Sequence, residues 1–185
     1  MKLNKINKVD DSKYLKKYKL LYTNKAGKEK IYEMVSRNNI INNNDIGSIC
    51  NGVCIIVRHS EEEKLLLIKE FRMAVNKYVY NIPAGIIEVG ETVEETIKRE
   101  LYEETGLTHI KIIKTLKPSF SAVGISDEKI ITAFVEAKGN FHDNTSDNED
   151  ITPMFLSKDE VKLLLETEEL AGRTQLLCEF WVNGF

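Results

Sequence analysis

Residues 85–107, GIIEVGETVEETIKRELYEETGL, constrain the fold of this chain more than any other stretch. Thr92 followed three positions later by Glu95 has capping-box spacing, so a helix starts at Thr92. Val93, Ile97 and Leu101 recur at i, i+4 and i+8 and give that helix an apolar stripe. Gly106 fits the left-handed residue that ends a helix, and Gly90 marks a turn ahead of it. A helix with one apolar stripe must lie on something, and its neighbours in sequence are β-rich.

CNGVCIIVRHS and KLLLIKEFR read as two strands joined by a solvated turn at Glu61, Glu62 and Glu63. Tyr78–Ile82 is a short third strand that stops at Pro83, and two more strands fall around 110–116 and 129–137. Ser157 and Glu160 form a second capping-box pair, which opens a helix through about Glu166; another helical run, 170–182, holds the single Trp181. Strands and helices mix without regular βαβ alternation. That predicts an α/β fold, a mixed sheet covered by helices.

The N-terminal part differs in texture. Leu20–Tyr22 and Ile31–Val35 flank the turn signal Asn24-Lys25-Ala26-Gly27, which predicts a β-hairpin, and the Asn-rich NNIINNND after it reads as a loop. Residues 1–50 hold eleven basic and five acidic residues, a net of +6, so the remaining 135 carry −9 of the total −3. We therefore expect residues 1–45 to form a strand/hairpin region and 46–185 the main domain.

Several classes fall away. No stretch approaches about 18 consecutive apolar residues, so no transmembrane helix is expected. The basic N-terminus lacks an apolar core followed by a small-residue cleavage site, which predicts a cytoplasmic protein. Mild overall acidity makes nucleic acid an unexpected partner. Cys50, Cys54 and Cys178 form no CxxC pair and read as reduced core thiols; His59, His109 and His142 are isolated, and neither a P-loop nor GxSxG nor HExxH is present.

The acids carry the chemistry. Glu100, Glu103 and Glu104 stand at i, i+3 and i+4 and share one helix face. Like charges at that spacing repel, and helix stability does not call for them. A divalent cation among them would, and oxygen-only ligands favour Mg²⁺ or Mn²⁺ over zinc. Arg99 is placed to pair with one of these acids and fix its rotamer.

This stretch resembles the Nudix box, G-x5-E-x7-R-E-U-x-E-E-x-G-U with U apolar, at every defined position: Gly85, Glu91, Arg99, Glu100, Leu101, Glu103, Glu104, Gly106 and Leu107. A looser resemblance to the ADP-ribose pyrophosphatase and nucleoside diphosphate sugar hydrolase branch runs from about residue 30 to 165. It is carried by Tyr32–Arg37, Lys69-Glu70-Phe71-Arg72, Asn81-Ile82-Pro83-Ala84-Gly85, Ser126-Asp127-Glu128 and Asp147–Ile151.

The resemblance implies a Nudix fold, an α/β/α sandwich, and hydrolysis of a pyrophosphate bond, with ADP-ribose giving AMP and ribose 5-phosphate. It implies Mg²⁺, with Mn²⁺ as a substitute, held by Glu100, Glu103, Glu104 and the Ala84 carbonyl. It implies a catalytic set of Glu103, Asp147, Glu149 and Arg99, and a substrate-binding set of Tyr32, Arg37, Glu70 and Arg72. Within these, Tyr32 would stack on the base, and Arg37 and Arg72 would clamp the diphosphate or the distal sugar. A homodimer is usual in this branch. One departure bears on substrate: where the branch carries Pro-Gly after the box, this chain has Val123-Gly124. NADH, GDP-mannose and oxidised nucleotides are the alternative substrates, and a non-catalytic sensor of ADP-ribose-type molecules is the alternative class.

Overall fold

The computed structural model describes residues 1–142 and 148–184, and it divides into two compact units. The first comprises Met1–Gly52 and Lys117–Ile131; the second comprises Val53–Leu116 and Thr132–Phe185.

The first unit is built on an antiparallel three-stranded sheet of β1 (Lys2–Asp11), β2 (Lys16–Thr23) and β3 (Glu29–Ser36). The β2–β3 turn forms because the Asn24 Oδ1 accepts from both Ala26 N and Lys28 N, while Gly27 takes φ 75°. Alternation then sends Tyr18, Leu20 and Met34 to one face, where they are buried with Ile40. The Tyr18 hydroxyl donates to the Asn38 carbonyl at 3.1 Å and accepts from Ile40 N at 2.9 Å, so the buried phenol is satisfied.

Strand β1 is a finding beyond the predicted hairpin. Its apolar residues Leu3 and Ile6 are three apart, which hides a strand from a period-two reading. A register shift between Leu3 and Lys5 absorbs the extra residue and sets Leu3 opposite Tyr22 and Ile6 opposite Leu20.

The large sheet runs in the order β11-β5-β4-β10-β8, with β6 on β5, β7 on β4 and β9 on β10. These are β4 (Cys50–His59), β5 (Lys64–Arg72), β6 (Lys77–Asn81), β7 (Ala84–Ile86), β8 (His109–Thr115), β9 (Ser119–Phe120), β10 (Lys129–Lys138) and β11 (Ile151–Ser157). Helices α1 (Val93–Thr105), α2 (Lys158–Thr167) and α3 (Gly172–Asn183) all belong to the second unit. The fold is the predicted α/β sandwich on a mixed sheet. Its core is Val53, Ile55, Val57 and Leu65–Ile68 from the sheet, with Ile97 and Leu101 from α1. Helix α1 contacts β7 and β11, and α2 packs on α3 and β11.

Candidate active site

Local chemistry fixes α1 at both ends. The Thr92 Oγ1 accepts from Glu95 N at 3.3 Å, and Glu95 Oε2 accepts from Thr92 N at 2.8 Å. Gly106 closes the helix at φ 81° and donates its N–H to the Tyr102 carbonyl at 2.8 Å. Between these caps the buried residues are Thr96, Ile97, Glu100, Leu101, Glu104 and Thr105. Two glutamates thus stand where a globular helix normally puts core residues. Val93, assigned to the stripe from its spacing, is only half-buried.

Strand β7 receives these carboxylates. Ala84 N donates to Glu104 Oε2 at 3.3 Å. Gly85 lies so close to Glu100 that a Cβ built on it would stand 1.8 Å from the Glu100 carboxyl carbon. Glycine at 85 therefore creates the space that the Glu100 carboxylate fills.

Arg99 ties the acids together. Its Nε and Nη2 donate to the two oxygens of Glu91 at 2.7 and 2.9 Å, a bidentate pair. Its Nη1 donates to Glu100 Oε1 at 2.8 Å and to Glu103 Oε2 at 2.9 Å, and Nη2 also reaches the Ile86 carbonyl at 2.9 Å. The guanidinium holds the Glu91 carboxyl down at about 2, and the acids raise the affinity of Arg99 for its proton.

Electrostatics separate the three box glutamates. Burial raises the Glu100 pKa; Arg99 opposes this, and Glu103 and Glu149 add to it. Glu104 is driven up further, first by burial, then by the charges of Glu100, Glu70 and Glu149, with the Ala84 N–H working the other way. Glu103 is about half-exposed and meets Arg99 from the solvent side.

A second network flanks the helix. Glu70, 5% exposed, accepts from Asn81 Nδ2 at 2.8 Å and from Arg72 Nε at 2.8 Å. Asn81 Oδ1 in turn accepts from the buried Thr174 Oγ1 at 2.7 Å. Thr174 was invisible to sequence reasoning because it lies 93 residues from Asn81.

The structure thus gathers Ala84, Arg99, Glu100, Glu103 and Glu104 in the second unit, with Glu70 and Glu149 near enough to act on Glu104. Arg72 is half-exposed and engaged by Glu70. Asp147 lies outside the described residues. Tyr32 and Arg37 belong to the first unit, where the Tyr32 hydroxyl donates to the Gly124 carbonyl and Arg37 Nε pairs with Glu128 Oε1 at 2.7 Å. Among the described residues no three acidic, thiol or imidazole side chains form a ready metal cage. The donors that converge are nonetheless carboxylate oxygens, crowded and partly buried. A hard divalent cation suits such a set because it would relieve the repulsion that raises Glu100 and Glu104.

Residues 50–177 match the NUDIX domain, and the chain belongs to that family. The ADP-ribose pyrophosphatase of Bacillus subtilis (strain 168) is 29% identical over 121 residues, which cover 64% of this chain and 65% of that protein. The ADP-ribose pyrophosphatase of Saccharomyces cerevisiae is 27% identical over 141 residues, 75% of this chain and 59% of that protein. The chain therefore spans 59–65% of the length of these curated relatives. The crystal structure of ADP compounds hydrolase shares the fold with a TM-score of 0.69 at 19% identity, covering 98% of this chain and 92% of that one. No helix among the described residues is long and apolar enough to cross a membrane.

Proposed function

We propose that this chain is a metal-dependent Nudix hydrolase that cleaves the pyrophosphate bond of a nucleoside diphosphate linked to a sugar. ADP-ribose is the leading substrate, giving AMP and ribose 5-phosphate. The observation that carries the reading is the placement of Glu100 and Glu104 on the buried face of α1, against a strand whose glycine makes room for one of them. Burying two carboxylates side by side costs stability, and a folding role does not account for it. The similarity to ADP-ribose pyrophosphatases of Bacillus subtilis and Saccharomyces cerevisiae supports the substrate class.

Glu100 and Glu104, with Glu103 and the Ala84 carbonyl, would hold Mg²⁺, with Mn²⁺ as a substitute. When bound, the ion supplies charge neutralisation for the pyrophosphate and makes water a stronger nucleophile at neutral pH. The chain's own residues do the rest. Arg99 holds the Glu100 and Glu103 carboxylates in fixed rotamers. Glu149 or Asp147, or else Glu103, takes the proton of the attacking water. That water adds to one phosphorus as the bridging P–O bond breaks, and the other phosphate leaves with the bridging oxygen. Glu70 positions Arg72, whose guanidinium is suited to the diphosphate. Tyr32 takes the base by stacking, and Arg37 contacts the diphosphate or distal sugar. The reading carries with it a cytoplasmic homodimer, which the opposed charges of residues 1–50 and the remainder favour.

The test is turnover. Purified protein with Mg²⁺ is offered ADP-ribose, NADH, GDP-mannose, coenzyme A and 8-oxo-dGTP, with Glu104→Gln alongside. Turnover of ADP-ribose that falls by orders of magnitude in the variant is expected. Turnover of another substrate would move the specificity and keep the chemistry. No turnover with Mg²⁺ or Mn²⁺ would overturn the hydrolase reading in favour of a sensor.

A further inference from the structure

Thr174 is fully buried in the first turn of α3, where main-chain bonds already latch the helix to β6. Ala171 N donates to the Tyr80 carbonyl at 2.9 Å, and Tyr80 N donates to the Glu169 carbonyl at 2.9 Å. A valine at 174 would fill the same space with no polar atom to satisfy. The hydroxyl instead donates to Asn81 Oδ1 at 2.7 Å, an oxygen that also accepts from Ile82 N at 2.9 Å. Two donors on Oδ1 fix which way the amide faces, so Nδ2 is turned to donate to Glu70 Oε1 at 2.8 Å. Arg72 Nε pairs with the other Glu70 oxygen at 2.8 Å. The buried Glu70 carboxylate is therefore held at both ends, by Asn81 on one side and Arg72 on the other.

The chain of contacts ends on a cation with free donors. Arg72 is half-exposed, and its Nη1 and Nη2 make no hydrogen bond among the described residues. Arg99 is the contrast, because its Nε, Nη1 and Nη2 are all given to Glu91, Glu100, Glu103 and the Ile86 carbonyl. Glu70 lies near enough to the acid cluster for its charge to act on Glu104. A guanidinium anchored on that carboxylate, with two amino groups free, suits an anion that offers two oxygens in one plane. We propose that Thr174 is a positioning residue for this anion site: by fixing the direction of the Asn81 amide it holds Glu70, and through Glu70 it aims Arg72 at a phosphoryl group. This rests on the reading that Arg72 meets the diphosphate, and adds the residues that orient its guanidinium.

The test reads Arg72 directly. The chain has five arginines, so the side-chain Nε–Hε signal of Arg72 is assigned in the NMR spectrum by its loss in Arg72→Lys. Its heteronuclear NOE is measured in metal-free wild type, Thr174→Val, Thr174→Ser and Asn81→Asp, with Arg99 as the rigid reference and exposed Arg173 as the mobile one. Thermal unfolding confirms that each variant folds. Inorganic pyrophosphate is then titrated in and followed at the same signal. In wild type the Arg72 NOE should lie near that of Arg99. Thr174→Val should lower it toward that of Arg173 and weaken pyrophosphate binding roughly threefold to tenfold, the contribution of one neutral hydrogen bond. Thr174→Ser, which keeps the hydroxyl, should restore both. Asn81→Asp sets a carboxylate against Glu70 and should loosen Arg72 at least as much as Thr174→Val. An Arg72 signal unchanged in both Thr174→Val and Asn81→Asp overturns the proposal. So does a wild-type Arg72 as mobile as Arg173, or an Arg72 signal that pyrophosphate does not move. Turnover of ADP-ribose is measured separately, and its absence alone overturns only the hydrolase reading.

Discussion

Arg99→Ala isolates the residue on which the acid cluster depends. The substitution removes five hydrogen bonds at once: two to Glu91, one each to Glu100 and Glu103, and one to the Ile86 carbonyl. The bond to half-exposed Glu103 is worth little. The decisive loss is at Glu100, 9% exposed, which is left with an unpaired carboxylate beside Glu104. A charge-assisted bond to such a group contributes about 1.5–3 kcal/mol, and the solvent that still reaches Arg99 argues for the lower half of that range. With a further fraction from the Ile86 carbonyl, the expected destabilisation is about 2–3 kcal/mol, or a fall in Tm of roughly 4–12 °C for a chain of this size. Scanning calorimetry of chelator-treated protein measures it. Arg58→Ala is the control, because Arg58 is 66% exposed and makes a single 3.2 Å bond to Glu136. Arg99→Lys should recover only part of the loss, since an ammonium cannot reproduce the fork. A Tm for Arg99→Ala no lower than that of Arg58→Ala would refute the reasoning.

Two further outcomes follow from the same packing. Glu104→Gln should be more stable than wild type at pH 8 without metal, because the folded state raises the Glu104 pKa and its ionised form is unfavourable there; the gap should close as pH falls and wild-type Glu104 takes up its proton, so a gap that widens on acidification counts against the assignment. Gly85→Ala should push the Glu100 carboxylate aside and loosen its bond to Arg99, cutting kcat by at least about tenfold and lowering Tm by no more than Arg99→Ala does; an unchanged kcat would mean that the position of Glu100 is not critical.

The parts of the fold legible in the sequence were those written locally. Both capping boxes, at Thr92 and Ser157, form as their spacing predicts, and Gly106 ends α1 in the left-handed conformation. Strand β1 was not legible because its bulge breaks the alternation. Strand β11 was missed because it follows a polar, acidic stretch and contains Pro153. The structure tolerates that proline because β11 is the terminal strand in the sheet order, paired with β5 along one edge. At the site, the three box glutamates and Arg99 could be placed on one helix because i, i+3 and i+4 positions share a face. Which of them is buried could not, because that depends on β7. Nor could the chain of Thr174, Asn81, Glu70 and Arg72, whose members meet only through the tertiary fold.

Helix α1 shows why the unusual positions and the chemical ones coincide. A leucine at either 100 or 104 would extend the apolar stripe of Ile97 and Leu101 and remove a buried charge, so selection for stability alone would favour it. The chain instead keeps both acids, clears space for one with Gly85, and holds the other to the Ala84 N–H. The acids raise the cost of the fold, and the two devices fix the positions of their oxygen donors. Replacing the acids with apolar residues should therefore make a more stable and less active protein, the trade expected where a site rather than a core sets the residue.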